Sequence, residues 1–246
     1  MGKSAYFVGV LVTGASGYIG IHCVQQLLDL GYTVRGTVRD LSSKVKIEPL
    51  KKLHGAKDHL ELVVADLEKD DGWPQALTDC TYVLHVASPF PIVADDSIIS
   101  TAVDGTLRVL RAAAKTSVKK VVLTSSCAAI NEGHADTSKV FNEDDWTDVS
   151  SNSVLTYSKS KTLAEKAAWE FVKQEGTNFK LTTINPTLVV GPLLHNVRGT
   201  SINVSFEKFA IFPTLLAFFQ FLFARFALCS SCIKRILSRG CLCTCV

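Results

Sequence analysis

The sequence predicts a doubly wound α/β fold, a mostly parallel sheet covered by helices on both faces. Three features of the 246 residues support this. Short runs of β-branched and apolar residues alternate with longer stretches of helical spacing. The first run breaks into a glycine-rich turn that opens a helical pattern. The polar residues suited to chemistry follow the ends of the runs, where open parallel sheets bind their ligands.

Tyr6 to Thr13 reads as the first strand and Ile19 to Leu30 as the first helix. Tyr32 to Val38, Leu60 to Val64, Tyr82 to Val86, Val121 to Leu123 and Leu181 to Ile184 follow as strands. Thr101 to Lys115 and Ser158 to Gln174 have helical spacing. In the latter, Leu163, Ala167 and Phe171, with Ala164 and Ala168, form an apolar face. Strands separated mainly by helices imply a sheet buried on both sides.

The turn Val12-Thr13-Gly14-Ala15-Ser16-Gly17-Tyr18-Ile19-Gly20 joins the first strand to the first helix. Gly14 permits the tight turn, Gly17 lets a pyrophosphate approach the backbone, and Gly20 lets the helix pack on the strand. The free N–H groups of the helix start then suit phosphate. The dinucleotide-binding candidates here are Gly14, Ser16, Gly17, Tyr18, Ile19 and Gly20, and the fold is Rossmann-like. The second strand ends in Thr37-Val38-Arg39-Asp40. An NAD site usually offers an acid at this point; Arg39 instead offers a fork suited to a 2′-phosphate, with Lys44 and Lys46 near it, which favours NADP(H). Asp40 leaves the alternative of a ribose contact. Asp66 and Leu67 can meet the adenine, and Ala87 and Ser88, within His85 to Pro89, can pass beneath the diphosphate and nicotinamide ribose.

Tyr157 and Lys161 stand four apart at the start of a helix, so they share a face. A free phenol titrates near 10, and a nearby ammonium is expected to lower that value. A serine past the fifth strand, Ser125 or Ser126, can hold a carbonyl oxygen. Together these fit hydride reduction with Tyr157 as proton donor. Cys127 has no partner histidine or acid and reads as a small buried thiol. No metal site is expected.

Composition sets outer limits. An apolar fraction of 47% and a charged fraction of 20% describe a folded chain. A net charge of +3 with scattered basic residues excludes a nucleic-acid binder. The segment before the first strand lacks the pattern of a secretory signal, and Tyr6 weakens a myristoylation motif, so a cytoplasmic location is expected.

The sequence resembles the extended short-chain dehydrogenase/reductases of the NAD-dependent epimerase/dehydratase superfamily. Within them it resembles the dihydroflavonol reductase, cinnamoyl-CoA reductase and methylglyoxal (aldehyde) reductase branch. Val12 to Gly20, Gly31 to Asp40, His85 to Pro89, Val122 to Ser126, Tyr157 to Trp169 and Ile184 to Pro192 carry the likeness. The resemblance implies a Ser126, Tyr157, Lys161 triad and prefers Ser126 over Ser125. It also implies NADP phosphate on Arg39, helped by Lys44 or Lys46, and a nicotinamide-side contact at Pro186 to Val189. Aldehydes, ketones, flavonoid ketones or thioesters are the substrates it implies. An NAD-dependent steroid dehydrogenase or sugar epimerase shares the tyrosine and lysine and is the neighbouring alternative.

The pattern is left after residue 204, so residues 1–204 read as the reductase core and 205–246 as an apolar, cysteine-rich tail replacing much of the substrate lobe. Phe209 to Leu228 is nearly apolar over twenty residues, which suits an interfacial membrane anchor, with an out-of-pattern carboxyl terminus as the alternative reading. Five cysteines follow, from Cys229 to Cys245, and suit palmitoylation better than a metal site. A shortened lobe also raises the alternative of a catalytically weak dinucleotide-binding variant.

Overall fold

A computed structural model describes residues 9–194, apart from 91–94, 137, 188 and 190. It contains a six-stranded parallel sheet in the order β3-β2-β1-β4-β5-β6. The strands are β1 (Gly9–Thr13), β2 (Thr33–Val38), β3 (Leu60–Val64), β4 (Cys80–His85), β5 (Lys120–Thr124) and β6 (Lys180–Ile184). The order reverses between β1 and β4. There the crevice at the carboxyl ends of the strands opens.

Side chains alternate across the sheet. The central strands β1 and β5 are buried on both faces, which is why they read as largely apolar runs, whereas the edge strand β3 has no buried residue. Val10 and Val12 face one way, with Val34 and Val38. They pack on Ile21, Val24 and Leu27 of α1 (Tyr18–Asp29) and on Ile47 and Leu50 of α2 (Lys44–Lys51). Leu11 faces the other way, with Val83, Val121 and Leu181. Against them lie Trp73 and Leu77 of α4 (Trp73–Leu77), Val109 and Leu110 of α5 (Ser97–Ala114), and Ala168 and Phe171 of α6 (Thr156–Glu175). Full burial of side chains such as Val10, Leu11 and Val12 contributes about 1.5–3 kcal/mol each.

The expected elements form, with boundaries moved by local chemistry. Helix α5 starts before Thr101 because the Asp95 carboxylate accepts the Ser97 N–H at 2.8 Å and turns the chain into the helix. Helix α6 ends at Gly176, whose φ of 56° is a left-handed stop. Three short helices escape the periodicity. Pro49 interrupts α2, α3 (Ala56–His59) is one turn, and α4 is five residues with a proline in its first turn. Of the expected apolar face of α6, Ala164, Ala168 and Phe171 are buried while Leu163 and Ala167 are half-buried, and the buried face also carries Ser158, Ser160, Lys161, Thr162 and Glu165.

The expected membrane association is not sustained. No helix among the described residues is long and apolar enough to cross a membrane. The long helices α5 and α6 instead carry charges such as Asp104, Arg108, Lys166 and Glu170 along their length. Residues 209–228, on which that expectation rested, lie outside the described residues, as do the 204/205 boundary and the cysteines from Cys229 to Cys245.

Candidate active site

A cleft of about 1080 Å³ runs across the carboxyl ends of the strands. At its centre the chain leaves β1 through Gly14, whose φ of 64° favours glycine. The Gly14 N–H donates to Thr37 Oγ1 at 3.0 Å and the Ala15 N–H to the Thr37 carbonyl at 3.0 Å, pinning the turn to β2. A Cβ on Gly20 would sit 2.2 Å from the Gly14 carbonyl oxygen, so helix and strand approach as closely as backbone allows. Helix α1 starts at Gly17 without a side-chain cap and has no acid in its first turn. Its free N–H groups and positive dipole end therefore face the cleft, a fit for a diphosphate.

Seventeen of the eighteen residues expected at the site line this cleft: Gly14, Ser16, Gly17, Tyr18, Ile19, Gly20, Arg39, Lys46, Asp66, Leu67, Ala87, Ser88, Ser126, Tyr157, Lys161, Pro186 and Val189. Lys44 is the exception. It opens α2 and lines a separate depression with Gln25, Glu48 and Lys52. Lys44 and Lys46 are two apart on a helix, so they cannot share a face.

Arg39 is exposed at the cleft and forms no ion pair among the described residues. Asp40 is engaged locally. One carboxylate oxygen accepts the Ser42 N–H at 2.8 Å and the Ser42 hydroxyl at 2.7 Å. These bonds, with Lys46 nearby, hold its carboxyl below the usual range. The phenol of Tyr18 donates to the Gly191 carbonyl at 2.9 Å and the His22 Nε2 to that of Pro192 at 2.9 Å, tying the segment after β6 to the start of α1. The loop after β3 is held by the Trp73 indole, which donates to the Asp66 carbonyl at 3.1 Å.

On the other side of the cleft Ser126, Tyr157 and Lys161 converge. The Ser126 hydroxyl acts on the phenol of Tyr157, lowering its pKa, and Ser126 Oγ accepts the Ala128 N–H at 3.2 Å. Ser125, the competing serine, is buried and its hydroxyl has no partner among the described residues. Tyr157 is half-buried, and its ring rests on Phe90 with centroids 4.9 Å apart. Lys161 is buried; its Nζ donates to the Thr124 carbonyl at 3.4 Å and lies 5.9 Å from the Tyr157 ring centroid. Cys127, expected to be buried, is half-buried.

The electrostatics correct one expectation. Burial raises the pKa of the Tyr157 phenol, Ser126 pulls it down, and the neighbouring Cys127 and Glu132 push it up. Lys161 does not acidify it in this state, because its ammonium is turned to Thr124. A phenol held in its protonated form is a proton donor. Burial lowers the Lys161 pKa from 10.5 to about 8, and Glu165 opposes that shift.

The lysine shift has a consequence for stability. Below about 8 the ammonium is charged in both folded and unfolded chains, and folding carries its desolvation cost. Between about 8 and 10.5 the unfolded chain holds the extra proton, so stability rises with pH. The full shift corresponds to about 3 kcal/mol. Lys161→Met is therefore expected to be more stable than the wild type at pH 7, with the difference narrowing as pH rises through that window. Urea unfolding of both proteins across the window checks this; a pH-independent difference would contradict it.

Sequence reading missed Glu165 and Asn185. Asn185 follows β6, and its Nδ2 donates to the Ser126 carbonyl at 3.1 Å and to Glu165 Oε2 at 2.8 Å. The available signal was a carboxylate between Ala164 and Ala168, on a face that has to be buried. His85, by contrast, lies beneath the site. It is fully buried and kept neutral, its pKa lowered to about 3 by burial and by Lys161. Thr13 Oγ1, which accepts the N–H groups of Val86 and Ala87 at 3.0 Å each, sits 2.8 Å from its Nδ1.

Residues 10–206 match the sequence model of the NAD dependent epimerase/dehydratase family. The chain is 46% identical over 200 residues to a cinnamoyl-CoA reductase of Medicago truncatula, covering 78% of this chain and 61% of that protein. It is 40% identical over 194 residues to the dihydroflavonol 4-reductase of Hordeum vulgare, covering 75% and 54%. Among solved structures, the yeast methylglyoxal/isovaleraldehyde reductase complexed with NADPH superposes with a TM-score of 0.67 at 34% identity, covering 76% of this chain and 59% of that one. The vestitone reductase of alfalfa gives 0.68 at 31% identity, with coverages of 80% and 62%. The chain thus spans less than two thirds of the length of each of these relatives.

Proposed function

We propose, from the premise that this chain belongs to the NAD dependent epimerase/dehydratase family and to its reductase-like branch, that it is an NADPH-dependent carbonyl reductase. One observation carries the reading. A serine hydroxyl and a tyrosine phenol, with a buried lysine one turn along, line the same cleft as an uncapped, glycine-opened helix start.

In this reading α1 and the Gly14–Gly20 turn hold the diphosphate, and Arg39 and Lys46 hold the 2′-phosphate. Asp66 and Leu67 meet the adenine; Ala87 and Ser88 lie under the diphosphate, and Pro186 and Val189 border the nicotinamide side. The chemistry that bound NADPH supplies is a hydride for the carbonyl carbon. The residues of this chain do the rest. Ser126 donates a hydrogen bond to the carbonyl oxygen and aligns it. Tyr157 gives that oxygen its phenolic proton, which burial has kept in place. The Lys161 ammonium holds the ribose and stabilises the phenolate that remains. The exposed ring of Phe90 beside Tyr157 suits a carbonyl bearing an apolar substituent.

The test is oxidation of NADPH by the full chain with a panel of small aldehydes and ketones. Dinucleotide-dependent turnover is expected, and absence of turnover across the panel would overturn the reading. The cofactor preference is tested separately by Arg39→Ala. Loss of a charge-assisted phosphate contact is expected to weaken NADPH binding by about 10- to 100-fold and to leave NADH binding nearly unchanged. Equal losses for both dinucleotides would place the arginine away from the 2′-phosphate.

A further inference from the structure

We propose that Asn185 is a positioning residue for this reaction: its side-chain amide bridges Glu165 on α6 to the backbone carbonyl of Ser126, and so sets the serine turn against the helix that carries Tyr157. This rests on the reductase reading above.

The bridge consists of two contacts from one nitrogen. Asn185 Nδ2 donates to Glu165 Oε2 at 2.8 Å and to the Ser126 carbonyl at 3.1 Å. Glu165 is only 5% exposed, and its Oε1 accepts the Trp169 indole at 3.4 Å, so the carboxylate is held at both oxygens. Ser126 begins the one-turn helix Cys127–Ala129. A turn that short has little stability of its own and is held from outside. On one side Thr147 donates its N–H to the Ala129 carbonyl at 3.0 Å and its hydroxyl to the Ala128 carbonyl at 2.9 Å. On the other, the Ser125 N–H donates to the Ile184 carbonyl at 2.8 Å and the Cys127 N–H to the Pro186 carbonyl at 3.0 Å. These bonds strap the turn to the exit of β6, and the Asn185 amide carries the connection on to α6.

Satisfying buried groups does not account for the bridge. The Ser126 carbonyl already accepts the Ala129 N–H at 3.0 Å, so it would not be left unpaired without Asn185. A buried carboxylate is costly, and an apolar pair of similar volume would serve stability as well or better. What the polar pair supplies is direction. The planar amide sends its two hydrogens along fixed lines, one to the helix and one to the turn. The effect reaches the hydroxyl through its own residue. Ser126 caps the one-turn helix with its side chain: Oγ accepts the Ala128 N–H at 3.2 Å. That leaves the hydroxyl hydrogen to donate into the cleft that Ser126 lines with Tyr157. Moving the Ser126 carbonyl rotates the same residue and swings that hydrogen away from the oxygen that Tyr157 protonates. A misplacement of about 1 Å in such a constellation can cost about 10²-fold in rate.

The experiment is amide hydrogen exchange on the ¹⁵N-labelled full chain, read by NMR, joined to a kinetic cycle. The double variant Glu165→Met with Asn185→Leu removes both polar partners, so neither is left buried without the other. Its Ser125, Cys127 and Ala129 N–H groups are expected to exchange about tenfold faster than in the wild type, while the buried Val122 of β5 stays protected. Glu165→Gln keeps an acceptor for Asn185 and should retain the wild-type protection. In turnover, Asn185→Leu should lower kcat by about tenfold or more, with KM and NADPH binding nearly unchanged. In a Ser126→Ala background the same substitution should cost little further, because the hydroxyl it positions is gone. Unchanged exchange at all three amides in the double variant overturns the proposal, as does a loss of protection that spreads to Val122. So does exchange in Glu165→Gln as fast as in the double variant, or an equal kcat loss with and without the Ser126 hydroxyl. Exchange needs no turnover, so the two ideas fail separately: a wild type that reduces no carbonyl sinks the reductase reading, and unmoved amides sink the bridge.

Discussion

Tyr157→Phe is expected to lower kcat for carbonyl reduction by about 10²–10⁴-fold, the range for removal of a positioned general acid. The substitution removes one oxygen and leaves the ring against Phe90, so NADPH binding should stay near the wild-type value. The asymmetry identifies the role. A residue that only shaped the pocket would change KM and kcat together, whereas a proton donor lowers kcat and kcat/KM alike. Steady-state kinetics with NADPH, alongside a binding titration on the same preparation, checks both halves. Retention of more than about a tenth of kcat would remove the phenol from the chemistry. Ser126→Ala is the milder companion, since water can replace a hydroxyl that only aligns the carbonyl.

Gly20→Val is expected to abolish dinucleotide binding at micromolar concentrations and to destabilise the fold. A Cβ at Gly20 would meet the Gly14 carbonyl oxygen at 2.2 Å and the Gly14 carbonyl carbon at 3.0 Å. Both are backbone atoms, so the clash cannot be relieved by a rotamer change; the turn itself has to open. Opening it moves the N–H groups of the α1 start away from the diphosphate. Overpacking of this kind typically costs about 1–3 kcal/mol. Thermal unfolding together with NADPH titration separates the two effects, and a well-folded variant that binds as the wild type does would contradict the cradle.

Much of this was legible in the residues because burial leaves a direct trace. Strands β1, β4 and β5 are covered on both faces and therefore read as unbroken apolar runs. The turn from Gly14 to Gly20 announces itself because backbone approach excludes side chains. What was not legible depends on tertiary placement. The helix α2 contains Pro49, and without recognising it as a helix, Lys44 and Lys46 looked equivalent, although they point to different sides. The expectation that Lys161 would acidify Tyr157 followed from their spacing alone. Spacing puts two side chains on one face but does not say where the end of a flexible lysine turns, and here it turns to Thr124. Glu165 and Asn185 sit in plain view in the sequence, yet a glutamate in a lysine-rich helix looks solvated until its face is known to pack inward. The apolar run at 209–228 shows the opposite failing: hydropathy suggested an anchor, and no described helix is long and apolar enough to span a membrane.

The most direct measurement is a fluorescence titration of the purified full chain with NADPH and with NADH, since emission from the reduced nicotinamide rises when the ring leaves water. Saturable enhancement with NADPH, much weaker binding of NADH and loss of the signal in Gly20→Val are the results expected of a dinucleotide laid across α1 with its ring beside Tyr157. A chain that retains neither dinucleotide would contradict it.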